Sequence, residues 1–250
     1  MNVFRALIRR ELFMFFQGPT GFIIISAVLF LIGLGFLVVL YGLNGEATPM
    51  PVTQIFYETY FFWLILLLIA PVITMRSFAM ERASGTYESL MTSPVGDWQV
   101  VLSKFTGALI FYMILWTPLL VCSVVVRFYV GESAVLGVGT ICTTSMGILL
   151  IGSLYVSIGC FASALTQNQA VAAVSSFAIG SALFFAGFFS YFSGDRTDFS
   201  SLLARHISLA NHMESFTRGI LDLGAIVFFL SLTIMFLYLT HKSVESRRWK

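Results

Sequence analysis

Of the 250 residues, 58% are hydrophobic and only 10% charged, far from the roughly one-quarter charged residues of a soluble domain. The net charge of +2 is scattered over short flanks between apolar runs, which leaves no basic face for nucleic acid. Cys122, Cys142 and Cys160 all fall inside apolar runs and read as buried free thiols rather than a disulfide or metal set.

A bilayer core about 30 Å thick takes roughly 20 apolar residues per helix, so the chain has room for about six spans and little else. The expected fold is an all-α polytopic membrane protein in one domain over residues 1–250. In residues 1–17, Phe4, Leu7, Ile8, Leu12 and Phe15 recur at helical spacing, the mark of an amphipathic helix lying on a membrane surface, with a plain solvated basic lead-in to the first span as the alternative reading. Glu11 falls near the apolar side of that helix and calls for pairing with an arginine or with a partner. Gly18 and Pro19 end it, since proline disfavours α conformation in the residue before it. The apolar run at 22–43 is longer than the 7–15 residues of a signal-peptide core and has no small-residue cleavage site after it, so it reads as an anchor.

Span one covers 20–43, and a polar loop with Asn44, Gly45, Pro49 and Pro51 follows. Span two covers 59–75, with Tyr57, Tyr60 and Trp63 placed as an interfacial aromatic belt and Pro71 as a kink rather than a break. After a polar island, span three runs over 105–126 with an internal Pro118, and span four over 134–165. Span five, 170–192, carries Ala172, Ser176 and Gly180 at intervals of four, and Ala178, Ala182 and Ala186 likewise. This is the small-residue spacing by which membrane helices approach closely, within a subunit or across a dimer. A second polar island, 193–222, holds Phe199, Leu202, Leu203, Leu209, Met213 and Phe216 in a pattern of short amphipathic helices. Span six, 223–240, precedes a basic tail ending at Trp249 and Lys250.

Six spans put both termini on one side. Ten of the fourteen Lys and Arg residues lie in the N-terminus, the 76–104 loop and the tail, and four (Arg127, Arg196, Arg205, Arg218) on the other side. The positive-inside rule therefore predicts cytoplasmic termini and a cytoplasmic first island.

The spans so drawn contain no Asp, Glu, Lys, Arg or His, which counts against an ion-coupled carrier. No phosphate-binding loop is present: of three lysines only Lys242 precedes a serine, and His241 stands where the glycine belongs. His206, His212 and Met213 lack a recognised copper-ligand spacing and read as ordinary interfacial residues. No serine has the partner base of a nucleophile. No catalytic residue, metal site or cofactor is expected on this chain.

The first island is sharply punctuated. Gly85 permits a reversal, and Thr86 caps a short helix with Glu88 in its first turn. Ser93 and Pro94 start a second helix with Asp97 in its first turn, which leads past Trp98 and Lys104 into span three. A small helix at 87–92 tied to spans two and three by short links would tilt both when displaced.

The run Glu81-Arg82-x-x-Gly85-Thr86-x-Glu88-x-Leu90-x-x-Ser93-Pro94, followed by Lys104, resembles the cytoplasmic loop of ABC-2-type permeases. Glu214-Ser215-Phe216-x-Arg218-Gly219 and the tail Glu245-Ser246-Arg247-Arg248-Trp249 resemble the gliding-motility-associated branch, which is related to permeases of copper-enzyme maturation. The resemblance implies a six-helix permease subunit in a bacterial cytoplasmic (inner) membrane. It implies coupling through Glu81, Arg82, Gly85, Thr86, Glu88, Leu90, Ser93 and Pro94 (loop 77–98) to two copies of a separate ABC ATPase that holds ATP and Mg. It also implies short external helices before span six and pairing with a second permease copy or a larger membrane subunit bearing an external domain. Apolar spans suit a lipid-like or hydrophobic cargo. A mechanical transmitter acting on an external protein, with nothing crossing, is the alternative reading.

Overall fold

The structure, a computed structural model, describes residues 3–42, 55–57, 59–85, 96–130, 138–192 and 207–248. Among them lie nine helices and no strand: α1 (Val3–Gln17), α2 (Pro19–Gly42), α3 (Tyr60–Thr74), α4 (Ala79–Ala83), α5 (Asp97–Val130), α6 (Val138–Leu165), α7 (Gln169–Phe192), α8 (Leu209–Thr217) and α9 (Leu223–Arg248). Six of these segments are long and apolar enough to cross a membrane, and the protein is an all-α polytopic membrane protein. The expected loop at 44–51, and the part of the second island up to His206, lie outside the described residues.

Helix α6 is the axis. Every residue from 150 to 160 is buried, and α3, α5, α7, α8 and α9 pack around it. Its small residues explain how. A Cβ on Gly152 would come within 2.1 Å of the Tyr112 ring, and one on Gly159 within 1.9 Å of Thr74 Oγ1. Both glycines therefore admit a neighbouring helix at backbone distance, the usual basis of packing where lipid supplies no hydrophobic drive between helices. Buried hydroxyls on α6 satisfy themselves: Ser153 donates to Leu150 O and Ser157 to Leu154 O, each at 2.7 Å. Ser153 also meets Thr233 of α9 at 3.2 Å.

The outward faces of α2, α7 and α9 carry exposed Phe30, Leu37, Val174, Phe185, Val227 and Ile234. An apolar exterior of this kind suits lipid or another membrane subunit rather than water.

Two expectations change. Tyr57 and Trp63 are buried rather than belted at an interface. They join an aromatic cluster in which Tyr57 meets Phe62 at 4.7 Å, Phe62 meets Trp116 at 5.1 Å and Trp63 meets Phe184 of α7 at 4.8 Å. Edge-on and tilted ring contacts hold them inside the bundle. Of the three free thiols only Cys160 is fully buried, and Cys142 is exposed on the outside of α6. As expected, the helix that leads past Trp98 and Lys104 continues into span three as α5, with Lys104 inside it. Pro71 and Pro118 sit within unbroken helices, as expected.

Candidate functional site

At the end of the bundle that carries α1, four charged side chains from three helices converge. Lys104 of α5 is 1% exposed, with Nζ 3.0 Å from Glu11 Oε1 of α1 and 2.9 Å from Glu81 Oε1 of α4. Arg10 reaches the same two carboxylates, at 3.2 Å from Glu11 and 2.7 Å from Glu81. The Phe78 ring centroid lies 5.3 Å from the ammonium, a cation–π contact. Two cations and two anions cancel, which makes it tolerable to bury an ammonium whose desolvation costs several kcal/mol. The Arg10 pair is more exposed and contributes about 1 kcal/mol or less.

The sequence of α5 prepares this contact. Lys104, Gly107, Ala108 and Phe111 fall three and four apart, hence on one stripe. A Cβ on Gly107 would sit 2.8 Å from Glu11 Cβ, so the glycine makes the gap that seats α1. One turn further, Phe15 stacks on Phe111 with centroids 4.4 Å apart and planes 9° apart. The apolar face expected for residues 1–17 is therefore turned against α5, with Glu11 buried within it.

The short helix α4 is pinned from the opposite direction. Its first amides have no cap of their own. Instead Phe78 N–H and Ala79 N–H donate to Ser163 Oγ of α6 at 3.0 and 3.1 Å, and that hydroxyl donates to Met75 O at 3.3 Å. An orphaned helix start is thus satisfied by a side chain from another helix. Arg82 donates to Ala164 O near the end of α6, and Ser243 Oγ of α9 donates to the same carbonyl at 3.2 Å. Gly85 follows with φ 71°, a left-handed turn that glycine adopts without strain.

Glu81, Arg82 and Gly85 of the expected coupling residues are thus placed at the root of the 86–95 segment. Thr86, Glu88, Leu90, Ser93 and Pro94, with the small helix expected at 87–92, lie outside the described residues. The described residues continue from Gly96, and Trp98 in the first turn of α5 stacks on His241 of α9, centroids 4.3 Å apart and planes 12° apart. Both roots of the segment are therefore anchored, one to α1, α5 and α6 and the other to α9.

Elsewhere, Ala172, Ser176 and Gly180 are all buried on α7. Tyr155 of α6 donates its hydroxyl to Gly180 O at 3.2 Å, and a Cβ on Gly180 would lie 2.9 Å from its ring. Gly180 thus faces the chain's own α6. Ala178 and Ala182 point outward and are exposed. Helix α8 begins at Ser208, whose side chain accepts from Asn211 N–H. Met213 is buried over Gly147, and His212 lies against Phe228 at 4.9 Å.

The pairing of Glu11 with an arginine is as expected, and its convergence with Lys104 goes beyond what the sequence indicates. The available signals were a glutamate on an apolar helix face and a lone lysine ahead of an apolar run; which residues they met was not encoded locally.

Residues 44–246 match the family model described as ABC-2 family transporter protein. No curated protein matches the chain.

Proposed function

The chain belongs to the ABC-2 family of transporter proteins, the membrane permease subunits of ABC transporters, and from that premise we propose that its 77–98 loop receives the movement of a separate ABC ATPase. The geometry of α4 carries the reading. A five-residue helix at the root of the 86–95 segment is bonded to α5 and α1 through Glu81 and to α6 through Ser163 and Ala164. A push on 86–95 is then delivered to three helices together rather than absorbed in a slack loop.

In this reading two ATPase copies hold ATP and Mg, and Thr86, Glu88, Leu90, Ser93 and Pro94 supply the contact surface. The termini face the cytoplasm of a bacterial inner membrane. A second permease copy, or a larger subunit with an external domain, completes the membrane part. The exposed apolar faces of α2, α7 and α9 support a partner in the membrane and a lipid-like cargo rather than a hydrophilic one. The gliding-motility-associated branch is proposed on the two sequences that resemble it, within the first of which Arg218 and Glu214 form an ion pair across one helical turn.

The test is co-purification in mild detergent of the wild type and of a Glu88→Ala/Leu90→Asp variant, with ATP hydrolysis assayed on the eluates. The wild type is expected to bring down an ATPase, and the variant to lose it while inserting normally. If the wild type brings down no ATPase, the coupling reading falls.

A further inference from the structure

Between α1, α2, α3 and α4 lies a cavity of about 860 Å³, at the same end of the bundle as the charge cluster. Its walls differ in character. Ile23, Ile24, Val72 and Ile73 make one side apolar. At the other, Arg10, Glu11 and Glu81 are already committed with Lys104, two positive and two negative charges. Arg76 is the charge left over. It is exposed at the cavity wall, and among the described residues it pairs with no carboxylate; its guanidinium donates to Thr20 Oγ1 at 3.0 Å. The first turn of α2, which starts beside it, contains no acidic residue.

We propose that this cavity holds one anionic glycerophospholipid, its phosphate on Arg76 and Thr20 and an acyl chain along Ile23, Ile24, Val72 and Ile73. An arginine fork matches phosphate oxygens, and a helix start with no competing acid favours the same charge. The cavity is large enough to receive a headgroup and the upper part of a chain. It lies within a single subunit, beneath α1, so occupancy holds α1 to α2 and α3 independently of any cargo, ATPase or second copy. Free inorganic phosphate shares the headgroup chemistry but has no use for the four aliphatic side chains.

Native mass spectrometry of the purified full chain in detergent, titrated with phosphatidylglycerol and with diacylglycerol, which carries the same acyl chains without the phosphate, tests the site. The wild type is expected to retain phosphatidylglycerol about tenfold more tightly than diacylglycerol, the order of one charge-assisted contact. Arg76→Ala is expected to abolish that preference, and Ile24→Trp, which fills the apolar side, to weaken both lipids. Arg76→Gln, able to keep the hydrogen bond to Thr20, separates charge from folding and is expected to lose the preference with an unchanged melting temperature. Arg9→Ala, on an exposed face of α1 that does not line the cavity, is expected to change nothing. Equal losses in the Arg9 and Arg76 variants mean surface electrostatics alone and overturn the proposal. Displacement of the lipid by millimolar phosphate with Ile24→Trp silent means a phosphate site and overturns it equally. No ATPase enters this assay, so its failure leaves the coupling reading untouched.

Discussion

Lys104 and Glu11 stand 93 positions apart in the chain and 3.0 Å apart in space, both buried. The N-terminal helix is therefore fastened to the start of the third span by a buried charge pair, and Glu81 joins that pair to the root of the 86–95 segment.

Replacing Lys104 by Met is expected to leave two facing carboxylates with only the half-exposed Arg10 between them and to cost up to about 3–5 kcal/mol, the usual penalty for breaking a buried pair from one side. Thermal melting in detergent reads it as a clear drop in melting temperature. The triple variant Lys104→Met/Glu11→Leu/Glu81→Gln should recover much of the loss. No change for the single variant would mean that the cluster is not formed.

Ser163→Ala removes the acceptor shared by Phe78 and Ala79 N–H. Each buried donor left without a partner costs about 1–3 kcal/mol. Because α4 is short, the effect is expected locally, as faster amide exchange at 78 and 79 with the α6 amides unaffected. Uniform exchange across the bundle would instead make Ser163 a general packing residue.

Gly107→Val is expected to lift α1 from α5, since the new side chain would occupy the position of Glu11 Cβ. Limited proteolysis should then cut near Gly18, where α1 ends and α2 begins. Gly139→Ala is the control: nothing lies within 4 Å of its Cβ direction. That change is expected to be neutral or to stabilise by up to about 1 kcal/mol through helix propensity.

Trp98 and His241 are expected to couple by about 0.5–1.5 kcal/mol in a double-mutant cycle of alanine variants, the range for packed aromatic rings. The cycle is best read by melting. A coupling energy of zero would detach the start of α5 from α9 and leave the second root of the 86–95 segment unanchored.

Much of this architecture is legible in the sequence because it follows from local patterns. Apolar length gives the spans, the spacing of Phe4, Leu7, Ile8, Leu12 and Phe15 gives the inner face of α1, and Gly18-Pro19 and Gly85 give the breaks. The charge cluster is not local. Helix-start signals carry the chain past Lys104 into span three, but nothing near Lys104 names Glu11 and Glu81, the carboxylates that allow its ammonium to be buried. Tyr57 and Trp63 mislead for a related reason: an aromatic ring beside a span has the same composition whether it faces headgroups or Phe62 and Phe184. The stripe Ala172, Ser176 and Gly180 signals a close neighbour without naming it, and only the fold supplies Tyr155.

The span of chain separating Glu11 from Lys104 also sets an order of assembly during synthesis. When α1 leaves the ribosome its glutamate has no buried counter-charge, and it cannot obtain one until residue 104 has been made. Until then the helix can rest only where water or headgroups solvate Glu11. Insertion of the third span is what closes the bolt, and a chain stopped before it would leave its first helix at the membrane surface.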